Sequence, residues 1–321
     1  MADPVESRLA EPAPLYTELA EAPEHGRAFW IASGIRRIRA AVWGGGERGV
    51  ALIFTGRTEY IEKYGRVVTA LTERGFSVAA LDWRGQGLSD RPLANRMKGH
   101  VASFAAYQRD VGAFLAAPEV AGLKGERVLI CHSMGGCVGV RALLEERLEP
   151  AATILSAPML GLALSPLAHG ALEALIALSR RFGFETSFAA VTKGARPYVE
   201  RQAFPGNVLT GDADHYGWFR KHLEAEPGFA LGAPTFGWLA EALEETTALR
   251  AAPAPAVPML ALLGGEEAVV SAEAIRAFAA KARSCRLVEL PGGRHETLFE
   301  TPAIRDRVWE EIDAFLADSG V

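Results

Sequence analysis

The stretch Leu129-Ile130-Cys131-His132-Ser133-Met134-Gly135-Gly136 decides how the rest of the chain is read. An apolar run, Arg127 to Cys131, enters it and predicts a buried strand. A small-residue, helix-compatible stretch, Gly135 to Leu148, leaves it. A serine on a sharp strand-to-helix turn holds its hydroxyl above a sheet edge, where a base and a substrate carbonyl both reach it. Crowding at such a turn demands small residues two before and two after the serine. Gly135 meets that demand, whereas Cys131 stands where glycine is usual; the written G-x-S-x-G pattern is broken, although cysteine is small. Taken alone, the stretch fits an ordinary strand-to-helix turn equally well.

Outward from this turn the chain alternates. Ala28 to Ser33 and Ile35 to Trp43 read as a hairpin about Ser33-Gly34. Val50 to Phe54 and Phe76 to Leu81 are short apolar strands, separated by a helical pattern from Tyr60 to Arg74. Val101 to Leu115 is the next expected helix, and Ala151 to Ser156 the strand after the elbow. Buried strands alternating with helices predict a mostly parallel central sheet flanked by helices on both faces. The alternation pauses from about Gly161 to Arg250, where only helical patches such as Ala171 to Arg181 and Tyr216 to Leu223 occur. It resumes with a strand at Met259 to Leu263, a helix at Ala272 to Ala282, a strand at Cys285 to Leu290 and a helix at Pro302 to Leu316. The expected organisation is a loose arm over 1–24, a core built from 25–160 and 251–321, and a helical cap inserted as 161–250.

Composition narrows the class. The 321 residues are 49% hydrophobic and 23% charged, as in soluble globular proteins. A net charge of −5 with no basic tail argues against a nucleic-acid partner. Cys131, Cys137 and Cys285 have no metal-ligand spacing, and so sparse a set suits a reducing compartment. The acidic, proline-bearing start carries no apolar signal segment, and no run approaches the roughly 20 apolar residues of a membrane span. The expected location is therefore cytoplasmic.

A serine hydroxyl is a weak nucleophile until a histidine takes its proton and a carboxylate orients that histidine. His295 follows the last expected strand, in Pro291-Gly292-Gly293-Arg294-His295-Glu296. The loop after Ala151 to Ser156 has no carboxylate, whereas Met259 to Leu263 runs into Gly264-Gly265-Glu266-Glu267. The acid is thus Glu266 or Glu267. An oxyanion hole needs two backbone N–H groups. Met134, after the serine, supplies one; the loop Thr55-Gly56-Arg57 supplies the other from Arg57, whose side chain is secondary in this reading. Asp212, Asp214, His215 and His222 invite a metal site, but a helix cap and one face of a cap helix explain them better. His132 is expected to pack beside the elbow, and Asp82 and Arg84 to brace the turn after their strand. Gly85 and Gly87 match no phosphate-loop spacing. No metal or cofactor is expected.

Four motifs in this order carry a resemblance: Phe54-Thr55-Gly56-Arg57-Thr58-Glu59-Tyr60, Asp82-Trp83-Arg84-Gly85-Gln86-Gly87-Leu88-Ser89, His132-Ser133-Met134-Gly135-Gly136 and Gly293-Arg294-His295-Glu296. Together they resemble the α/β-hydrolase fold and, more narrowly, the monoacylglycerol lipase and bacterial lysophospholipase L2 group, over about residues 25 to 318. The resemblance implies a serine hydrolase with the triad Ser133, Glu267 and His295. Two departures stand out: Glu267 replaces the usual aspartate and reaches one methylene further, and Thr55 replaces a frequent histidine. The implied substrate is a single-chain lipid ester, a lysophospholipid or monoacylglycerol, with peripheral membrane contact through the cap at the inner membrane face. Leu172, Leu175, Ile176 and Leu178 beside Arg180 and Arg181 are the expected contact. Competing expectations are a small-ester carboxylesterase or thioesterase, and a catalytically silent binding protein of the same fold.

Overall fold

The apolar runs become the strands of one eight-stranded sheet. The computed structural model describes residues 8–189 and 195–321. In chain order the strands and longer helices are β1 (Arg27–Ser33), β2 (Arg36–Trp43), β3 (Gly49–Phe54), α1 (Gly65–Glu73), β4 (Phe76–Leu81) and α2 (Ala105–Ala116), then β5 (Arg127–His132), α3 (Met134–Leu144) and β6 (Ala152–Ser156). Three helices follow: α4 (Pro166–Arg181), α5 (Ala213–Ala225) and α6 (Phe236–Ala251). The chain closes with β7 (Met259–Gly264), α7 (Ala272–Lys281), β8 (Cys285–Leu290) and α8 (Pro302–Asp318).

The sheet order is β1-β2-β4-β3-β5-β6-β7-β8. Only β2 pairs antiparallel, with β1 and β4; every other pairing is parallel. Successive side chains of the central strands go to opposite cores. Leu52, Phe54, Leu129, Cys131, Leu155 and Ala261 meet α2, α3 and α7 on one face. Ala51, Ile53, Val128, Ile130, Ile154 and Leu260 meet α1 and α8 on the other. A strand covered on both faces has no polar side to show, which is why these segments read as continuous apolar runs. The architecture is that of an α/β-hydrolase.

Three differences from expectation have physical reasons. Residues 1–7 of the expected arm lie outside the described residues, but 8–24 are docked rather than loose. The Leu19 carbonyl accepts hydrogen bonds from Trp218 Nε1 (3.1 Å) and His222 Nε2 (2.7 Å), and Ala20 is buried over Gly65. The expected helix from Tyr60 begins as a 3₁₀ turn, Ile61–Tyr64, before α1. Helix α6 lies within the expected helical cap, but its own periodicity does not mark it. Its buried residues, Trp238, Leu239, Ala240, Ala242, Leu243, Thr246 and Leu249, wrap most of its circumference, because it packs against both α4 and α3. A helix covered on several sides loses the one-faced periodicity by which helices are found.

The turn after β4 is held by buried charge. Asp82 and Glu62 both bind the Arg39 guanidinium, and Asp82 also accepts the Ile61 and Leu88 N–H groups, each at 2.8 Å. Arg84 pairs with Asp110. Among the described residues no helix is long and apolar enough to cross a membrane.

Candidate active site

Ser133 sits between β5 and α3 with φ 51° and ψ −117°, a strained backbone for a residue with a side chain. The strain is held by hydrogen bonds on both sides. The Ser133 N–H donates to Ser156 O (3.0 Å), and its carbonyl accepts from Gly136 and Met159. A Cβ at Gly135 would lie 2.1 Å from Phe54 O, so only glycine lets α3 start so close to β3. The unusual Cys131 is accommodated from the other side: its Sγ fills space that Gly139 leaves open, at 2.5 Å from where a Cβ would stand.

His295, in the loop after β8, points Nε2 at Ser133 Oγ (3.0 Å) and Nδ1 at Glu267 Oε2 (2.8 Å). The other carboxylate oxygen, Glu267 Oε1, accepts the Val269 and Val270 N–H groups at 2.7 and 3.1 Å. These two backbone donors fix the longer glutamate side chain in one pose. The Glu267 side chain is fully covered, whereas Glu266 is 60% exposed and reaches Arg294 only at 3.5 Å. Of the two open candidates, Glu267 therefore meets the histidine. Burial penalises the charge on both partners, yet the contact prevails: the Glu267 carboxyl is held below its ordinary value and the His295 imidazole above its own.

Met134 opens α3, where the first N–H groups have no intrahelical carbonyl. The facing loop, 55–59, is pinned at several points. Trp83 Nε1 donates to Thr55 O (2.8 Å), Thr58 N–H to Gln86 Oε1 (2.5 Å), and Gly56 N–H to the Glu59 carboxylate. The N–H groups of Arg57 and Met134 make no hydrogen bond among the described residues.

Beneath the site lies a buried charge cluster that sequence reading did not assign. Lys63 Nζ donates to Glu59 and to Glu296 Oε1 (2.6 Å), and Tyr64 OH donates to Glu59 Oε2 (2.6 Å). His132 packs beside the elbow as expected, its Nδ1 3.1 Å from Ser156 O and its Nε2 3.3 Å from Glu296 Oε2. Glu59, His132 and Glu296 are close enough to hold a metal ion, but the Lys63 ammonium already binds one oxygen of each carboxylate there. Burial alone would raise the Glu59 carboxyl; Lys63 and His132 reverse this and hold it at about 2. The visible signal was the i, i+4 spacing of Glu59 and Lys63; Glu296 joins them from far along the chain.

Ser133 and His295 open into a pocket of about 460 Å³, walled by apolar side chains including Met159, Leu209, Leu231, Trp238 and Val269. Arg57 also lines it. Its Nη2 donates to Gly232 O (2.7 Å), its guanidinium lies 5.1 Å from the Trp238 ring centre, and its buried Nε has no acceptor. Away from this pocket, Asp212 caps α5 by accepting from the Asp214 and His215 N–H groups, and His222 binds the Leu19 carbonyl. These residues do their work as cap and packing.

The family model described as Hydrolase_4, serine aminopeptidase, S33, matches residues 45–302. The chain belongs to this family. Lysophospholipase L2 of Escherichia coli strain K12 is 31% identical over 264 residues, spanning 80% of this chain and 76% of that protein. Among solved structures, a soluble variant of the Saccharomyces cerevisiae monoglyceride lipase, in complex with a substrate analog, aligns with a TM-score of 0.72. It is 16% identical and covers 96% of this chain and all of that one (100%). A thermostable carboxyl esterase from Bacillus coagulans aligns with a TM-score of 0.73 at 18% identity, over 93% of this chain and 100% of its own. The structural likenesses bear on fold; family membership makes this protein a hydrolase.

Proposed function

We propose that the protein hydrolyses single-chain lipid esters, lysophospholipids or monoacylglycerols, through an acyl-enzyme on Ser133. The observation that carries this reading is a serine–histidine–glutamate relay opening on an apolar pocket of about 460 Å³, within the 300–1,000 Å³ usual for ligand sites. In this reading Ser133 Oγ attacks the ester carbonyl while His295 Nε2 takes its proton. The Arg57 and Met134 N–H groups receive the oxyanion, and His295 protonates the departing alcohol. Water then repeats the sequence to release the fatty acid. Glu267 keeps the imidazole in the required tautomer and stabilises its charged form.

The segment 161–250 serves as a cap on a core made of 25–160 and 251–321. Leu164, Leu167, Leu178, Phe182 and Phe184 are exposed, and they form the surface through which this cap touches a membrane. This surface differs from the expected one, since Leu172 and Ile176 face inward and Arg180 is paired with Glu244. The E. coli lysophospholipase L2 similarity supports the lipid substrate, and three unbridged cysteines suit a cytoplasmic location at the inner membrane face.

The family description names an aminopeptidase, which is the second reading. A peptide's α-ammonium needs a free carboxylate, yet Glu59 and Glu296, the carboxylates lining the pocket among the described residues, are both bound to Lys63. The test compares long-chain monoacyl lipids in micelles, short soluble esters and aminoacyl amides, with fluorophosphonate labelling of Ser133 as the check on the nucleophile. Preference for short esters or for the amides overturns the lipid reading; a protein that is neither labelled nor active is a binding protein.

A further inference from the structure

Four cations line the pocket: Arg196, paired with Glu200, and Arg201 are exposed at its rim, whereas Arg57 and Lys63 are shielded and differ from one another. Lys63 is neutralised by Glu59 and Glu296. Arg57 has no carboxylate partner among the described residues, although its guanidinium is shielded between the cap carbonyl of Gly232 and the Trp238 ring. Burial pushes its pKa down to about 10, which still leaves it cationic at neutral pH. A guanidinium offers five N–H donors, and here one hydrogen bond, to Gly232, is made. A shielded cation with unused donors, facing a cavity, is arranged for an anion.

Its place in the chain says which anion. The backbone N–H of Arg57 is directed to the ester oxyanion in the reading above, on which this inference rests. The side chain leaves the same Cα toward the cap. A single residue therefore presents one donor for an ester carbonyl and a second, cationic set an arginine's length away. A glycerol unit separates the ester from the phosphate of a lysophospholipid by a comparable span. The geometry points to Arg57 as the specificity residue for the phosphate of a single-chain phospholipid, so that its backbone and side chain together measure the ester-to-phosphate distance. A neutral monoacylglycerol occupies the acyl wall equally well but leaves the guanidinium without its anion.

The experiment compares kcat/KM for a 1-acyl lysophospholipid and a 1-monoacylglycerol of the same acyl chain, using the unaltered protein, Arg57→Met and Arg57→Lys. A lost charged hydrogen-bonded contact lowers the phospholipid-to-neutral ratio by about 10- to 100-fold in Arg57→Met, chiefly through KM, with partial recovery in Arg57→Lys. An unchanged ratio, or an equal loss on both lipids, overturns the inference. Fluorophosphonate labelling of Ser133 in each variant shows that the site is assembled. If Arg57→Met does not label, the ratio in Arg57→Lys and competition by glycerol 3-phosphate against the wild type decide. Inorganic phosphate is the control: Arg57-dependent inhibition of monoacylglycerol turnover by phosphate, without any preference for the phospholipid, assigns the site to free phosphate and overturns the lipid assignment. Should the wild type cleave neither lipid, the proposed function itself fails, a result distinct from all of these.

Discussion

Cys131 and Gly139 share one space: a Cβ on Gly139 would lie 2.5 Å from Cys131 Sγ, and Leu129 Cδ2 stands 3.5 Å away on the same side. The first belongs to the strand that delivers Ser133, the second to the helix that leaves it. The broken glycine pattern before the serine is thus compensated one helical turn further on. Gly139→Ala is expected to destabilise the protein by about 1–3 kcal/mol through overpacking, despite alanine's better helix propensity of about 0.5–1 kcal/mol. In Cys131→Gly the same substitution becomes neutral or stabilising. Thermal unfolding of the four proteins in this cycle checks the coupling, and additive shifts would show that the two sites are independent.

Glu267→Gln is expected to cost about four decades in kcat, the loss seen when a serine triad's carboxylate is replaced by an amide. Glu266→Gln, on an exposed side chain, is expected to cost almost nothing. The pH profile supplies a second readout. Because Glu267 holds His295 above its ordinary value of 6.5, the acid limb of kcat/KM lies above that value in the wild type. Activity rises with pH through it as the imidazole becomes a free base. Removing the carboxylate's charge moves the limb downward, and a limb that stays in place would detach Glu267 from His295.

Lys63→Met leaves Glu59 and Glu296 buried without their ammonium, a loss of about 3–5 kcal/mol at neutral pH by analogy with other broken buried pairs. The sign with pH is specific. In the wild type, Glu59 is held at about 2, so its contribution is complete above the unfolded value of 4.5 and fades as pH falls toward 2. Without Lys63, burial favours the neutral form of Glu59, so the variant's deficit shrinks as pH falls from 7 toward 4. Denaturant midpoints at pH 7 and pH 4 test this; a constant deficit would mean that Glu59 does not take up a proton.

Leu167→Asp with Phe182→Asp is expected to leave thermal stability unchanged, since the two side chains are 85% and 59% exposed. Turnover of lipid in vesicles is expected to fall. Each apolar side chain buried in lipid contributes roughly 1.5–3 kcal/mol, so the paired change weakens vesicle partition by at least tenfold. Hydrolysis of short soluble esters serves as the internal reference. Equal activity on vesicles would leave this surface without a membrane role.

Legibility in the sequence followed burial symmetry and sequence distance. β3, β5, β6 and β7 were plain because each is sandwiched between two cores and is dominated by apolar residues, polar ones falling mainly at the strand ends. His295 was plain because it follows the last strand in a short loop. Helix α6 was hidden because Trp238, Leu243 and Leu249 serve neighbours on different sides. The choice between Glu266 and Glu267 needed the Val269 and Val270 N–H groups, whose direction no composition reveals. Glu296 could not be joined to Lys63 by spacing, since the fold alone brings the last loop under α1's approach. Arg57 read as a mere carrier of a backbone N–H, because nothing local indicates that a charge will lack a partner.

The chain order of the site has a consequence for synthesis. β6 and β7 are neighbours in the sheet, yet the whole of residues 157–258 lies between them, and Glu267 and His295 come only afterwards. A chain emerging from the ribosome therefore displays Ser133 long before it possesses an acid or a base. Domains fold from the N-terminus as they are made, but here the Ser133–His295 contact forms only once β8 pairs with β7 and carries the His295 loop into place. Under the proposed function, a nascent chain built this way carries its serine well before the groups that would activate it.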